Sequence, residues 1–139
     1  MASSKYWNNL YKDKKSEAKN YNDRLNEIIK IRGTLEDFRS EIRNVNDEID
    51  DLQEDLRKAV RHNYRFEANT NNLVAEKEKA TTADPNLKNS MNELDDEITR
   101  LGTLKTNAER DRDQYYQNYK AAKDQERQDI IDGIVDFFT

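Results

Sequence analysis

Every seventh residue over most of this chain is apolar. The main series comprises Ile31, Phe38, Val45, Leu52, Ala59, Phe66, Leu73, Ala80, Leu87, Leu94, Leu101, Ala108, Tyr115 and Ala122. A second series, three residues earlier in each repeat, comprises Ile28, Leu35, Ile42, Ile49 and Leu56, and it resumes at Met91 and Ile98 after polar residues at 63, 70, 77 and 84. Alternating spacings of three and four residues keep side chains on one face of a slightly under-wound helix, as in coiled coils. The pattern predicts two helices that pack along this seam, separated by the polar lapse.

The chain is expected to form one all-α domain, residues 1–139, folded as an elongated antiparallel hairpin that resembles a coiled coil. The predicted first arm covers about 4–60 and the second about 85–138, with a short helical connector over 61–84. Asp84 and Pro85 indicate where the second arm begins, because aspartate caps helix N-termini and proline is tolerated at the first helical position. The main apolar series continues through the connector, so one continuous second helix with a kink at Pro85 is the alternative.

The two predicted arms are nearly equal in length. Each would extend on the order of 80 Å at 1.5 Å per residue, which suits an antiparallel pairing in which each seam residue has an opposite number. Folding about Asn72 would place Trp7 near Phe137 and Tyr115 near Ile28. This pairing would close one end of the hairpin with an aromatic cluster.

Composition limits the kinds of fold that the chain can adopt. It is 38% charged and 34% hydrophobic, with three glycines and one proline, so a narrow seam between long helices fits better than a wide core. Such charge content is also common in disordered chains, but the regular seam argues against disorder. The net charge is −5, with both signs interspersed and no cysteine. We expect no nucleic-acid binding, because a duplex binder concentrates lysine and arginine on one face, and no disulfide or thiol chemistry.

Two features of the sequence bear on location. The first residues lack the apolar stretch of a secretory signal peptide. No run approaches the ~20 apolar residues that are needed to span a bilayer. We therefore expect a soluble, cytoplasmic protein without membrane insertion. If the protein is exported, its export does not depend on a standard signal peptide. The sequence leaves open whether it is secreted together with a partner.

No constellation of residues points to catalysis. His62 is the only histidine, and no serine or cysteine nucleophile motif accompanies it, so a surface position is expected. The carboxylates at 47–51 and 95–97 lack the spacing of a calcium-binding loop and are typical of a solvated helix face. A di-metal bundle would need Glu-x-x-His pairs, which one histidine cannot supply. We predict that the protein is not an enzyme and has no catalytic residues, cofactor or metal.

Three charged residues, Lys105, Arg112 and Glu126, occupy seam positions of the second arm. Polar seam residues cost stability but can fix the register and the choice of partner. Alternatively, their side chains extend past the seam into solvent. The sequence leaves both interpretations open.

The last helical stretch, 130–138, differs from the rest in being predominantly apolar. Its apolar residues are expected to surround the helix. Because a two-helix hairpin can cover only one side of a helix, another chain should pack against the remaining apolar residues. A membrane surface is less favoured because the usual basic polar face is missing. We expect marginal stability alone and stabilisation by further helices. The candidate partner-binding residues are Trp7, Tyr11, Tyr116, Ile130, Ile131, Ile134, Val135, Phe137 and Phe138.

Several stretches carry a family resemblance. They are Tyr6–Lys15, which is aromatic and then basic, the heptads of Ile28–Leu56, the midpoint at 62–66 and the coiled segment Asn92–Leu104. Together they resemble the small α-helical accessory proteins encoded beside LXG-domain toxins of the Firmicutes type VII secretion system, which are relatives of the WXG-type hairpins. The chain departs from that family in two ways. It has Tyr64-Arg65-Phe66 where a Trp-x-Gly midpoint would stand, and it has no Tyr-x-x-x-Asp/Glu export motif near the C-terminus.

The resemblance implies a chaperone-like targeting partner. Such a protein would bind the helical N-terminal LXG domain of a toxin, together with a second small helical protein, and make the toxin competent for export. A partner would then supply the export signal. The competing hypothesis is a structural coiled coil, such as a phage or cytoskeletal spacer, that associates with itself into a homo-oligomer.

Overall fold

The computed structural model describes residues 2–59 and 64–139, and it contains two helices and no strand within those ranges. Helix α1 spans Ser4–Ala59, 56 residues, and helix α2 spans Tyr64–Phe138, 75 residues. The two helices pack against each other as an all-α helical hairpin, which confirms the predicted fold class. Predictions for 60–63, including His62, lie outside the described residues. So do those for the side chains at 56, 59 and 64–70, including Phe66.

Local interactions explain where α1 begins and ends. Ser3 caps the helix, because its hydroxyl accepts a hydrogen bond from the Tyr6 amide at 3.2 Å and its carbonyl accepts one from the Trp7 amide at 3.2 Å. Arg57 and Lys58 occupy the last turn, where cations interact favourably with the negative end of the helix dipole.

Helix α2 runs without a break through Pro85. The connector predicted at 61–84 is therefore not a separate element over 64–84, and the second helix does not begin at Asp84. The continuity of the alternative, one second helix through Pro85, is confirmed, and its kink at Pro85 stays a prediction. Asp84 does not serve as a cap because its carboxylate binds Arg39 of α1, with Nε–Oδ1 at 2.6 Å and Nη2–Oδ2 at 2.9 Å. This ion pair with α1 compensates for the loss of the backbone hydrogen bond that proline cannot donate.

The hairpin divides into two compact units, each built from a part of α1 and a part of α2. Unit 1 comprises Met1–Glu27 and Ile98–Thr139, and unit 2 comprises Ile28–Glu97. The predicted register about Asn72 is wrong in both units. In unit 1 the ring of Trp7 lies 5.9 Å from that of Tyr115 rather than near Phe137. The register differs because α2 already begins at Tyr64, so the chain reverses before Asn72.

The core of unit 1 is made mostly of small side chains. Ala18 of α1 and Leu101, Ala108 and Ala122 of α2 are buried, and Leu101 is only 1% exposed. The three buried α2 residues belong to the main apolar series, so the predicted seam of α2 is confirmed here. Alanines at these positions let the two helices approach closely.

The core of unit 2 differs from the prediction on the α1 side. The second apolar series is half-buried at Ile28, Leu35, Ile42 and Ile49. The column beside it in the interface is polar and consists of Arg32, Arg39, Asn46 and Gln53, the last of which is buried. The main series, Ile31, Phe38, Val45 and Leu52, lies outside the interface and is 49–52% exposed.

Ion pairs with α2 account for this orientation of α1. Arg32 binds Asp95 and Arg39 binds Asp84, and both arginines lie in the polar column that faces α2. Lys77 of α2 binds Asp50 of α1 in the same unit. Turning α1 so that the main series faced α2 would break the two arginine pairs, so the seam predicted for α1 over 31–52 is wrong.

Candidate partner-binding surfaces

An aromatic cluster joins the two helices of unit 1. The Trp7 ring lies 5.0 Å from Tyr6 and 5.9 Å from Tyr115, and the Tyr11 ring lies 5.2 Å from Tyr116. Trp7 and Tyr11 are half-buried, whereas Tyr116 is 40% exposed. The structure thus places three of the predicted partner-binding residues, Trp7, Tyr11 and Tyr116, in the aromatic packing of unit 1, and Tyr116 is the most exposed of these three.

Lysine ammonium groups border this cluster on α2. The Lys120 ammonium lies 4.9 Å from the Tyr116 ring centroid, and the Lys123 ammonium lies 5.7 Å from that of Tyr119. Cations over tyrosine faces are attracted by the ring quadrupole. Tyr116 and Tyr119 therefore each carry a lysine cation over the ring face.

Glu126 fixes the register where α1 begins. Its two carboxylate oxygens accept hydrogen bonds from the Ser4 amide at 2.8 Å and from the Ser4 hydroxyl at 2.7 Å. These bonds lower the pKa of Glu126, because they stabilise the charged form. They also satisfy one of the backbone amides that a helix leaves unpaired in its first turn. Lys105 and Arg112, in contrast, pair along α2 itself, with Glu109 and Asp113.

Residues 127–138 of α2 continue beyond the contact between Glu126 and the first residue of α1. Every residue of this extension is exposed. Its six large apolar side chains, which are 46–82% exposed, are Ile130, Ile131, Ile134, Val135, Phe137 and Phe138. We call this set the C-terminal apolar face.

The C-terminal apolar face occupies one side of α2. At 100° per residue its six members fall within an arc of about 160°. Asp129, Asp132 and Asp136 lie on the opposite side, where Gln125 and Gln128 donate hydrogen bonds to the first two at 2.9 Å. The expectation that apolar residues surround this helix is therefore wrong. The extension is amphipathic, with a defined apolar side and a defined acidic side.

The C-terminal apolar face also points away from the seam. The residues that precede this face on the same side of α2 are Tyr116, Lys120, Lys123 and Arg127. Tyr115, which faces α1, lies roughly 100° away from that side around the helix axis. Lengthening the contact with α1 would not cover it. A different helix is needed to bury these side chains.

Other kinds of site find little support in the described part of the chain. An open groove of about 620 Å³ in unit 1 is bordered by Lys12, Lys15, Lys19, Lys105 and Arg112 and is not enclosed. The described residues contain no group of three or more His, Asp or Glu side chains arranged for a metal ion. None of the described helical segments has the length and hydropathy needed to cross a membrane.

Comparison with known proteins gives no relative. No family model matches the chain, and neither a curated protein nor a solved structure is significantly similar to it.

The sequence pattern missed one surface. Regular spacing predicts a place in the seam for Ile31, Phe38, Val45 and Leu52, yet each is about half exposed. The signal that could have found them is the neighbouring column, in which Tyr11, Ala18 and Leu25 have the same seven-residue spacing. That column continues as Arg32 and Arg39, which form ion pairs with Asp95 and Asp84 of α2.

Proposed function

We propose that this chain is a non-enzymatic helical partner protein that binds the N-terminal helical LXG domain of a type VII-secreted toxin and helps to make it competent for export. The observation that carries the proposal is the C-terminal apolar face: six large apolar side chains on one side of a helix, which none of the described residues covers. Contiguous exposed apolar surface of this kind marks interaction sites in soluble proteins.

The shape of the surface favours a helix as the ligand. An amphipathic helix presents anchors on one side over several turns, and a partner helix buries them in a bundle. Burying one large apolar side chain contributes roughly 1.5–3 kcal/mol, so a few of these anchors suffice for a specific complex. The resemblance of Tyr6–Lys15 and the heptads to LXG-associated accessory proteins supports the choice of toxin domain as partner.

The proposal requires an LXG-domain gene beside the gene of this chain, and co-expression of the two proteins tests it. We expect the two proteins to elute together from a size-exclusion column at micromolar concentration. Separate elution, or the absence of an LXG-domain gene in the neighbourhood, would contradict the proposed partner.

Substitutions in the C-terminal apolar face test the surface itself. Ile134→Asp and Phe137→Asp should each weaken the complex at least about tenfold, since a carboxylate would have to be desolvated in the interface. Helicity measured by circular dichroism should change little, because both side chains are exposed. The matched control is Asp132→Asn on the acidic side of the same turns, which should leave the affinity measured by calorimetry unchanged. Unaltered binding by the two aspartate variants would refute the role of this face.

The second candidate function is self-association into a structural coiled coil. It is favoured by the half-exposed series Ile31, Phe38, Val45 and Leu52, whose seven-residue spacing suits pairing with another helix. Light scattering of the purified chain separates the two functions. A stable symmetric oligomer would favour the structural role, and a monomer would favour the role as a partner protein.

A further inference from the structure

Unit 2 carries an apolar stripe that is separate from the C-terminal apolar face. Its members are Ile31, Phe38, Val45 and Leu52, each 49–52% exposed. Seven-residue spacing keeps them on one side of α1, with a drift of about 20° per heptad, over a length of about 32 Å. Single exposed apolar residues are ordinary on protein surfaces, but four in a continuous row are the seam of a helix without its partner.

One border of the apolar stripe is acidic. Glu41, Glu48 and Asp55 lie about 60° round α1 from the stripe, on the side away from α2. All three are exposed, and none forms an ion pair with a described side chain. The positions three and four residues before and after Glu41 and Glu48 hold no lysine or arginine. Lys58 stands three residues after Asp55, but its ammonium pairs with Glu54.

Unit 2 as a whole is negatively charged, like the acidic border of the apolar stripe. Residues 28–97 contain 11 lysines and arginines against 17 aspartates and glutamates, a net charge of −6, while the rest of the chain has a net charge of +1. A helix that approaches the stripe therefore enters a negative field. In coiled coils, charges that flank the apolar seam decide which helix is accepted.

From this arrangement we propose that the apolar stripe of α1 is a second helix-binding site, which takes an amphipathic partner helix with heptad-spaced aliphatic residues flanked by lysine or arginine. The aliphatic residues would pack on Ile31, Phe38, Val45 and Leu52, and the flanking cations would pair with Glu41, Glu48 and Asp55. The inference goes beyond the proposed function, since it concerns a different unit and does not require a toxin domain.

Two synthetic peptides test the chemistry of this site on the full chain. Both are 28-residue helices with leucine and isoleucine in the seam; one has lysine at the flanking positions, and the other has glutamate there. Fluorescence anisotropy at about 0.1 M salt should show about tenfold tighter binding of the lysine peptide, and the preference should shrink as salt rises. Equal binding of the two peptides would overturn the proposal.

Variants of the chain show whether the stripe is responsible. The triple variant Glu41→Lys, Glu48→Lys and Asp55→Lys should reverse the preference in favour of the glutamate peptide. The matched control carries Asp37→Lys, Asp47→Lys and Asp51→Lys, which change the net charge equally but lie about 100° or more from the stripe. The control should keep the preference for the lysine peptide. An equal effect of both triple variants would mean attraction to overall charge, which would overturn a defined site.

The apolar component has its own variant. Phe38→Ser combined with Val45→Ser should lower the affinity for the lysine peptide at least about tenfold with unchanged helicity, because both side chains are half exposed. Unchanged affinity would contradict the proposal. Light scattering that shows a dimer of the natural chain and a monomer of this double variant would mean that a second copy of the chain occupies the stripe. That result would overturn the proposal of a basic partner helix. Failure at this site would leave the Ile134→Asp and Phe137→Asp test of the toxin complex unaffected.

Discussion

Single carboxylates set the register of this hairpin. Glu126 receives the amide and hydroxyl of Ser4, and Asp84 receives the guanidinium of Arg39, which lowers the pKa of both carboxyl groups. Apolar seams tolerate slippage because one aliphatic contact resembles the next, whereas these directed bonds exist in only one alignment. The polar residues that interrupt the apolar pattern therefore specify how the two helices align.

The lowered pKa of Glu126 gives a pH-dependent prediction. Its contact with Ser4 stabilises unit 1 fully above the ordinary pKa of 4.5 and is lost as pH falls through the lower folded value. In an acid titration followed by NMR, the Ser4 amide signal should move with a midpoint below 4.5. The step should vanish in Glu126→Gln and persist in Asp129→Asn, which removes an exposed carboxylate from the same helix. A midpoint at or above 4.5 would contradict the assigned contact.

At the scale of elements, the sequence predicts the helices better than their faces. Two helices and the seam of α2 follow from apolar spacing and from the scarcity of glycine and proline. The face that α1 turns toward α2 in unit 2 does not follow, because Arg32 and Arg39 become good interface residues only when Asp95 and Asp84 stand opposite. Whether two charged side chains can pair across the hairpin depends on the register of the two helices. The spacing of apolar residues along the sequence does not specify that register.

Pro85 illustrates the same limit. Its local preference favours a helix start at Asp84, yet α2 continues through it because residues on both sides are held by α1, with Asp84 paired and Leu87 half-buried. Nearby, the hydroxyls of Thr81 and Thr82 donate to the carbonyls of Lys77 and Glu78 at 2.9 and 2.8 Å. Tertiary contacts here override an intrinsic preference of about 3 kcal/mol.

Replacing this proline gives a prediction for the element. Pro85→Ala should restore a backbone hydrogen bond and remove a steric conflict, and should raise the free energy of unfolding by roughly 1–3 kcal/mol. Chemical denaturation followed by circular dichroism measures the change. Asn86→Ala is the control, since it alters helix propensity alone and should add only roughly 0.5 kcal/mol. A Pro85→Ala chain that is no more stable than Asn86→Ala would contradict this prediction.

At the scale of the whole molecule, the described residues include two apolar surfaces that no described side chain covers, one in each unit. The C-terminal apolar face of unit 1 continues a side of α2 that carries Lys120, Lys123 and Arg127, whereas the apolar stripe of unit 2 is bordered by carboxylates. The residues of the C-terminal apolar face were identifiable from the sequence, because six large apolar side chains exceed what one seam can bury. The spacing of the stripe is that of a seam, and only the neighbouring column that continues as Arg32 and Arg39 distinguishes the two.

Hydrogen exchange of the full chain, alone and with the LXG-domain protein that we propose as its partner, tests the central claim most directly. Amides of 130–138 should exchange rapidly in the free chain, because this extension has no covering helix, and should slow at least about tenfold in the complex. Amides around Leu101 and Ala108, which are buried between the helices in both states, provide the internal control. A complex that forms while 130–138 exchanges as fast as before, or a free monomer in which this segment is already protected, would contradict the account.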